Sequence, residues 1–434
     1  MEEQSENKQM DPTLAEEKNE GLQDNAAEND RKHQVNWNPK YASLVCVLVP
    51  VLVMLLLNAC HPSSDPSIIT VSSIWDWDAA AMVVLFTLIQ AGLYYLPVGR
   101  VMEGIIGPHD KRLKYNINGL HAGVVSVLAL VCVWWCGVFR CSSVSSRVIP
   151  LISAGWVLSF LICVFLYIRT NTHSNTAEVS GLGHVLEGFV LGQELHPRVG
   201  KIDVKLFAMV RIGFMGWALI DVCYVLSAVE THGSVPLSLL LTAVLQLIYI
   251  TDALIDEEIL LDSKELTMEP IGFLMVQGEY VWMPFFSSIP LYFLLQHPTD
   301  FSFLYSLPII LLFSGSFLIY RLSTKQKNLY RKNPDDPSVA HLEALVSPSG
   351  QNLLVSGWFG WVRHPNYLGD CMMTFSWTMF CGFSSVLPYV PGLHCLKMLL
   401  ERATDIERLC EEKHGAAWRE YCRRVPYKIL PSIY

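Results

Sequence analysis

YASLVCVLVPVLVMLLLNA, residues 41–59, carries no charged side chain. At 1.5 Å per residue it makes a helix of about 28 Å, the thickness of a bilayer's hydrocarbon. The same reading recurs along the chain, at 79–97, 119–139, 148–168, 206–228, 236–254, 271–296 and 303–320, and a longer apolar stretch covers 371–400. A water-free core demands that every backbone amide be satisfied within its own segment, so the expected fold is an all-α polytopic membrane protein. Composition agrees, with 52% hydrophobic and only 16% charged residues, against roughly 25% charged in soluble domains. A soluble enzyme is excluded.

Charge sets the expected topology. Lys and Arg are absent from 60–78, 229–235 and 297–302, whereas Arg100, Lys111, Arg112 and Lys114 fill one loop, Arg198, Lys201 and Lys205 another, and Arg321, Lys325, Lys327, Arg331 and Lys332 a third. The positive-inside rule makes the basic loops and the amino terminus cytosolic. Both 321–370 and 401–434 are basic, so 371–400 must leave and return on one face as a hairpin, bent at Pro388 and Pro391-Gly392, which gives about ten spans. Residues 1–36 hold ten Asp/Glu against four Lys/Arg and no apolar run, which reads as an acidic, disordered cytosolic tail, with 37–434 as the transmembrane domain. The twelve cysteines include no CxxC pair and most sit inside apolar runs, as small hydrophobes do, so no metal site is expected.

Ionisable residues inside apolar stretches are functional candidates. Arg211 and Asp221 lie nearly three turns apart in one span, so each needs a partner elsewhere. Tyr249 and Asp252, spaced i,i+3 at the cytosolic end of the sixth span, share a helix face and are placed to line a cavity. Asp256, Glu257 and Glu258 follow at the interface, and Glu279 faces the bundle from the seventh span.

The segment Ser356-Gly357-Trp358-Phe359-Gly360-Trp361-Val362-Arg363-His364-Pro365-Asn366-Tyr367-Leu368-Gly369-Asp370 enters the last hairpin from the cytosolic side. Pro365 biases His364 away from helix, so a helix opens near Asn366 with its free amides beside Arg363, a setting suited to phosphate. No G-x-G-x-x-G follows a strand-like run, because Gly181, Gly183 and Gly188 have the wrong spacing.

Residues 352–370, together with KNLYRKNP (327–334), YNING (115–119) and the ending VPYKILP (425–431), resemble the sterol C-14 reductase and lamin B receptor family over roughly residues 95–434. The resemblance implies a ten-span fold whose carboxy-terminal part, 321–434, holds NADPH next to a lipid-open sterol cavity, in the endoplasmic reticulum or inner nuclear membrane. It implies reduction of a sterol C-14 double bond by proton addition and hydride transfer. Its partners are then a sterol and membrane lipid, with no nucleic acid. Carried over by matching positions, it assigns Lys327 and Arg331 to the cofactor phosphates. It adds Leu354, Phe359, Arg363, Asn366, Tyr367, Asp370, Arg402, Cys410 and Tyr421 to the NADPH pocket, and makes Tyr249 the proton donor, with Asp252 behind it. Departures from the family pattern gather at the same place. Ile406 stands where a cofactor-binding carboxylate is expected, with Asp405 about 100° away on the helix. Glu187-Gly188 and His196 replace members of the central signature, and Ser287 and Pro290 replace a Tyr and a Gln. Two alternatives remain beside the reductase: a non-catalytic membrane scaffold or sterol sensor, and a methyltransferase of the isoprenylcysteine type, which shares Arg-His-Pro-x-Tyr.

Overall fold

The computed structural model describes residues 39–61, 74–106, 112–173, 182–299, 302–347, 350 and 352–433. The acidic tail expected at 1–36 lies outside them, as do Lys111 and Gly181.

Residues 41–59 form the core of helix α1 (Pro39–Ala59), despite the internal Pro50. Proline has no amide to offer the carbonyl four residues back, here Cys46. The Trp156 indole N–H supplies that bond at 2.9 Å, from helix α4 (Val148–His173). Helix α2 (Trp77–Tyr94) starts at Asp76, whose carboxylate caps Asp78 N at 3.0 Å. Helix α3 (Gly119–Trp135) follows an antiparallel pair, β1 (Arg100–Ile106) with β2 (Arg112–Ile117). The basic residues here suggest a loop, and the structure shows a strand pair instead. Its strand signal is the alternation in Arg112-Leu113-Lys114-Tyr115-Asn116-Ile117, where Tyr115 and Ile117 are buried and Arg112 and Lys114 exposed.

A two-residue pair, β3 (Arg198–Val199) with β4 (Ile202–Asp203), leads into α5 (Val204–His232). The buried Asp203 caps α5, accepting the amides of Lys205 and Leu206 at 3.1 Å each. Helix α6 (Leu237–Ile255) returns, and residues 273–296 form a broken helix, α7. Both α5 and α7 widen into π-helix, at Ala208–Phe214 and Gly278–Phe286, and these segments pack on each other. Glu279 there lies against Gly213: a Cβ on that glycine would stand 2.0 Å from the Glu279 carboxylate.

Helix α8 (Phe303–Lys332) runs 30 residues, well past the apolar stretch at 303–320. It carries Lys327 and Arg331 on one face, as their spacing requires. The final hairpin consists of α9 (Pro365–Thr378) and α10 (Val390–His414), followed by α11 (Ala416–Arg424). Its bend falls at 379–389, in two 3₁₀ turns that include Pro388, while Pro391-Gly392 lie in the first turn of α10. That is a correction: proline is accepted at a helix's opening position, where its amide has no partner anyway. Helices α8 and α9 pack against each other at Gly369, where a Cβ would stand 2.7 Å from Ser316 O and 2.8 Å from Tyr320 N.

Among the described residues, six helices are long and apolar enough to cross a membrane: Lys40–Ala59, Trp77–Tyr94, Val148–Thr172, Val204–His232, Leu237–Ile255 and Phe303–Lys332. The protein is an all-α polytopic membrane protein with three small strand pairs among the described residues. Some of its buried polar residues find partners across the bundle, whereas the fully buried Asp221 carboxylate, expected to need one, has no hydrogen-bond partner among the described residues. Arg211 donates to Asn118, Glu257 accepts Gly119 N at 2.7 Å, and Arg321 pairs with Asp252 at 3.0 Å and with Asp256.

Candidate active site

Helices α8, α9 and α10, with α6 on their inner side, gather the residues singled out above. Short helix Trp358–Trp361 is set by Gly357, whose φ of +64° suits glycine and whose missing side chain makes room for Gln326. The Gln326 carboxamide oxygen accepts Trp358 N at 3.0 Å. This places the buried Phe359 ring 5.6 Å from the Lys327 ammonium, and the Tyr421 hydroxyl donates to Phe359 O at 3.1 Å. Leu354, buried, pairs with Ala344 in a two-residue sheet, and Cys410 packs against the cluster of Trp418, Tyr421 and Val425. Asn366 lies half-buried in the first turn of α9.

Cations dominate this corner. Lys327 and Arg331 have no carboxylate within ion-pair reach among the described residues. His364 is buried, and burial first, then Lys327, Arg363 and Lys428, pushes its pKa down to about 3, so it is neutral at pH 7. Its ring stacks on Tyr367 at 4.9 Å. Arg363 is already committed: it donates to Glu407 at 2.5 Å and to Pro426 O at 2.7 Å, and Lys428 meets the same Glu407 at 2.9 Å. It therefore braces the carboxy-terminal segment against α9. Arg402 pairs with Glu265 at 2.9 Å and lies beside the Tyr367 hydroxyl.

Deeper in the bundle, the Tyr249 phenol lies beside the Asp370 carboxyl, and the two groups interact electrostatically. Its ring lies 5.8 Å from Trp217 and 5.6 Å from Trp377. Asp252, expected behind Tyr249, is instead held by Arg321, and the carboxylate that meets the phenol is Asp370. Tyr249 and Asp252 do share α6, but Asp252 lines a groove of about 370 Å³ with Val244, Leu247, Ile255 and Phe317, and Tyr249 is not among its walls. The groove is hydrocarbon apart from Asp252 and Thr251, and Val244 and Ile255 at its edge are exposed on the flank of the bundle.

Glu265, Glu407 and Gln326 belong to the same constellation and were not legible beforehand. Each stands in a polar stretch without a motif, where only a contact across the fold marks it. Glu407 follows Ile406 directly, yet Arg363 and Lys428 engage it.

The arrangement offers two cations without ion-pair partners among the described residues beside a flat aromatic ring, a half-buried phenol beside a carboxyl, and an apolar groove along another part of the same α6. Comparison with known proteins gives the family. The family described as "Ergosterol biosynthesis ERG4/ERG24 family" matches residues 42–434. The chain is 38% identical over 362 residues, 82% of this chain and 86% of the relative, to a Mus musculus protein named Delta(14)-sterol reductase TM7SF2. It is 33% identical over 394 residues to a Gallus gallus protein named Delta(14)-sterol reductase LBR, covering 88% of this chain and 62% of that one. An Ascobolus immersus protein named Delta(14)-sterol reductase is 31% identical over 379 residues, 84% of this chain and 87% of its own length.

Proposed function

The chain belongs to the ergosterol biosynthesis ERG4/ERG24 family, and from that premise we propose that it reduces the C-14 double bond of a sterol with NADPH, in the endoplasmic reticulum membrane or its nuclear continuation, with both termini cytosolic and about ten spans. The observation that carries this reading is the placement of the Asp370 carboxyl beside the Tyr249 phenol, on the same helix, α9, as Tyr367.

The residues present fit a dinucleotide phosphate. Lys327 and Arg331, lacking carboxylates, would hold phosphates; Phe359 gives a face for stacking; and Arg402 with Tyr367 would orient the nicotinamide end. NADPH, when bound, supplies the hydride. The protein's own work is the proton. With Asp370 protonated, it donates to the Tyr249 oxygen as Tyr249 releases its own proton to one carbon of the double bond. That relay answers the weakness of a lone phenol as an acid. Trp217 and Trp377 keep water from the phenol and present π faces to positive charge developing on the sterol. The groove at Asp252 and Phe317 is the route by which a sterol reaches this point from lipid.

The test is expression in a yeast strain lacking its own delta-14 reductase, with delta-14 sterols measured. Their disappearance supports the reading, and continued accumulation with the protein expressed refutes it. One observation favours a second reading, a non-catalytic scaffold: Ile406, at a position where a cofactor carboxylate is expected. An Ile406→Asp arm separates them, because activity gained only with aspartate marks a cofactor defect.

A further inference from the structure

The chain between α6 and α7 carries Glu265, the partner of Arg402, on a helix of four residues, Lys264–Thr267. A helix so short has hardly any hydrogen bonds of its own. Its carbonyls need partners, and its place has to be fixed from outside.

Lys205 supplies both. It stands in the first turn of α5, behind the Asp203 cap, and its side chain is wholly buried. Its ammonium donates to the carbonyls of Glu265 and Leu266 at 2.9 Å each, and to that of Glu269. An ammonium has three protons and no lone pair, so the three carbonyls use it completely. Burying such a charge is costly unless every proton finds an acceptor, so Lys205 is satisfied only while the segment stays in place. Ser263 adds a weaker hold, its hydroxyl accepting Leu266 N at 3.2 Å.

From this segment the contacts run into the site. The Glu265 carboxylate meets Arg402 at 2.9 Å, and Arg402 lies beside the Tyr367 hydroxyl and within electrostatic reach of Asp370. The Glu265 and Arg402 side chains are 31% and 40% exposed. Charge alone holds so open a pair weakly, and its geometry is then as firm as the backbone beneath it.

We propose that Lys205 is a positioning residue for the cofactor end of the site. By gripping the backbone at 265–269 it sets where the Glu265 carboxylate stands, and so the place of Arg402 beside Tyr367. What Arg402 binds rests on the reductase reading; the linkage to Lys205 does not. A lysine that served only the fold would stabilise the chain and leave the cofactor affinity of folded protein unchanged.

The experiment compares the native full chain in lipid nanodiscs with Lys205→Met, Glu265→Gln and the double variant. Methionine keeps an unbranched stem of similar length and loses all three donors. NADPH dissociation constants are measured on folded protein, and hydrogen exchange is followed without NADPH. Lys205→Met should weaken NADPH about five- to tenfold, the size of a charge-assisted contact loosened rather than removed, and peptides covering 263–271 should exchange faster. In the Glu265→Gln background the same change should add less than about twofold, because its route is already cut. Native affinity in Lys205→Met, unchanged exchange over 263–271, or effects that multiply in the double variant overturn the proposal. Should Lys205→Met fail to fold by size-exclusion chromatography, Ser263→Ala loosens the same segment without touching the ammonium. It should speed exchange there and weaken NADPH, and faster exchange with native affinity overturns the proposal. Native protein that binds no NADPH refutes the reductase reading, a separate result, and exchange over 263–271 then decides the linkage by itself.

Discussion

Replacing Tyr249 by phenylalanine removes one oxygen and leaves the ring between Trp217 and Trp377, so the packing changes little. Two consequences of different size follow. As a lost polar contact to the half-buried Asp370 carboxyl, the change costs about 0.5–1.5 kcal/mol of stability, a drop of a few degrees in the unfolding midpoint. As a lost general acid, it lowers the reduction rate of the folded enzyme by about 10²–10⁴, or roughly 3–5 kcal/mol of barrier. The second cannot be produced by the first when rates are normalised to folded protein. Asp370→Asn should also slow the reaction, and because the two groups act in one relay, the double variant should be no slower than Tyr249→Phe alone. Asp252→Asn, whose native partner is Arg321, should stay within about threefold of the native rate. The assay is single-turnover conversion of a delta-14 sterol in nanodiscs, read by gas chromatography and mass spectrometry. Rates that multiply in the double variant, or a Tyr249→Phe enzyme of native speed, would refute the relay.

Lys327→Ala should raise the KM for NADPH about tenfold or more with kcat little changed, since a charge-assisted phosphate contact is worth about 1.5–3 kcal/mol, and Arg331→Ala, at an exposed position, should do so by less. His364 makes stability fall in acid: its folded pKa of about 3 lies below the unfolded value near 6.5, so the unfolded chain takes up the proton first and stability is lost as pH drops from 6.5 toward 3. At pH 5 this single group accounts for about 2 kcal/mol, measurable as a shallower pH dependence of the midpoint in His364→Gln. Gly369→Ala should destabilise by about 1–3 kcal/mol, because its methyl group meets the α8 backbone rather than a movable side chain, and a midpoint equal to the native one would contradict the close crossing.

Six of the expected spans were legible because burial in lipid imposes one rule, continuous apolarity, on each segment independently. The π segments of α5 and α7 were not, since they arise from two helices accommodating each other around Gly213 and Glu279, and neither sequence alone specifies that. The same division holds at the site. Lys327 and Arg331 could be paired from spacing, and Phe359, Tyr367 and Arg402 could be nominated by resemblance. The partner of Tyr249 could not be deduced from its own helix: i,i+3 spacing pointed to Asp252, whereas the phenol turns inward to Asp370, over a hundred residues away. Arg363 looked like an anion ligand beside a helix start, yet Glu407 and the carbonyl of Pro426 take up its guanidinium.

Helix α8 spans 30 residues, about 45 Å at 1.5 Å per residue, whereas the hydrocarbon it crosses is about 30 Å thick. Leu304 and Tyr305 at one end are exposed, and Lys327 and Arg331 stand near the other on the same rod. A rod cannot shorten; it answers a thicker or thinner bilayer by tilting. The depth of Lys327 and Arg331 relative to the α9 wall therefore becomes a mechanical reading of membrane thickness, and under the proposed function a membrane thickened by the product sterol would act back on the helix that carries those two cations.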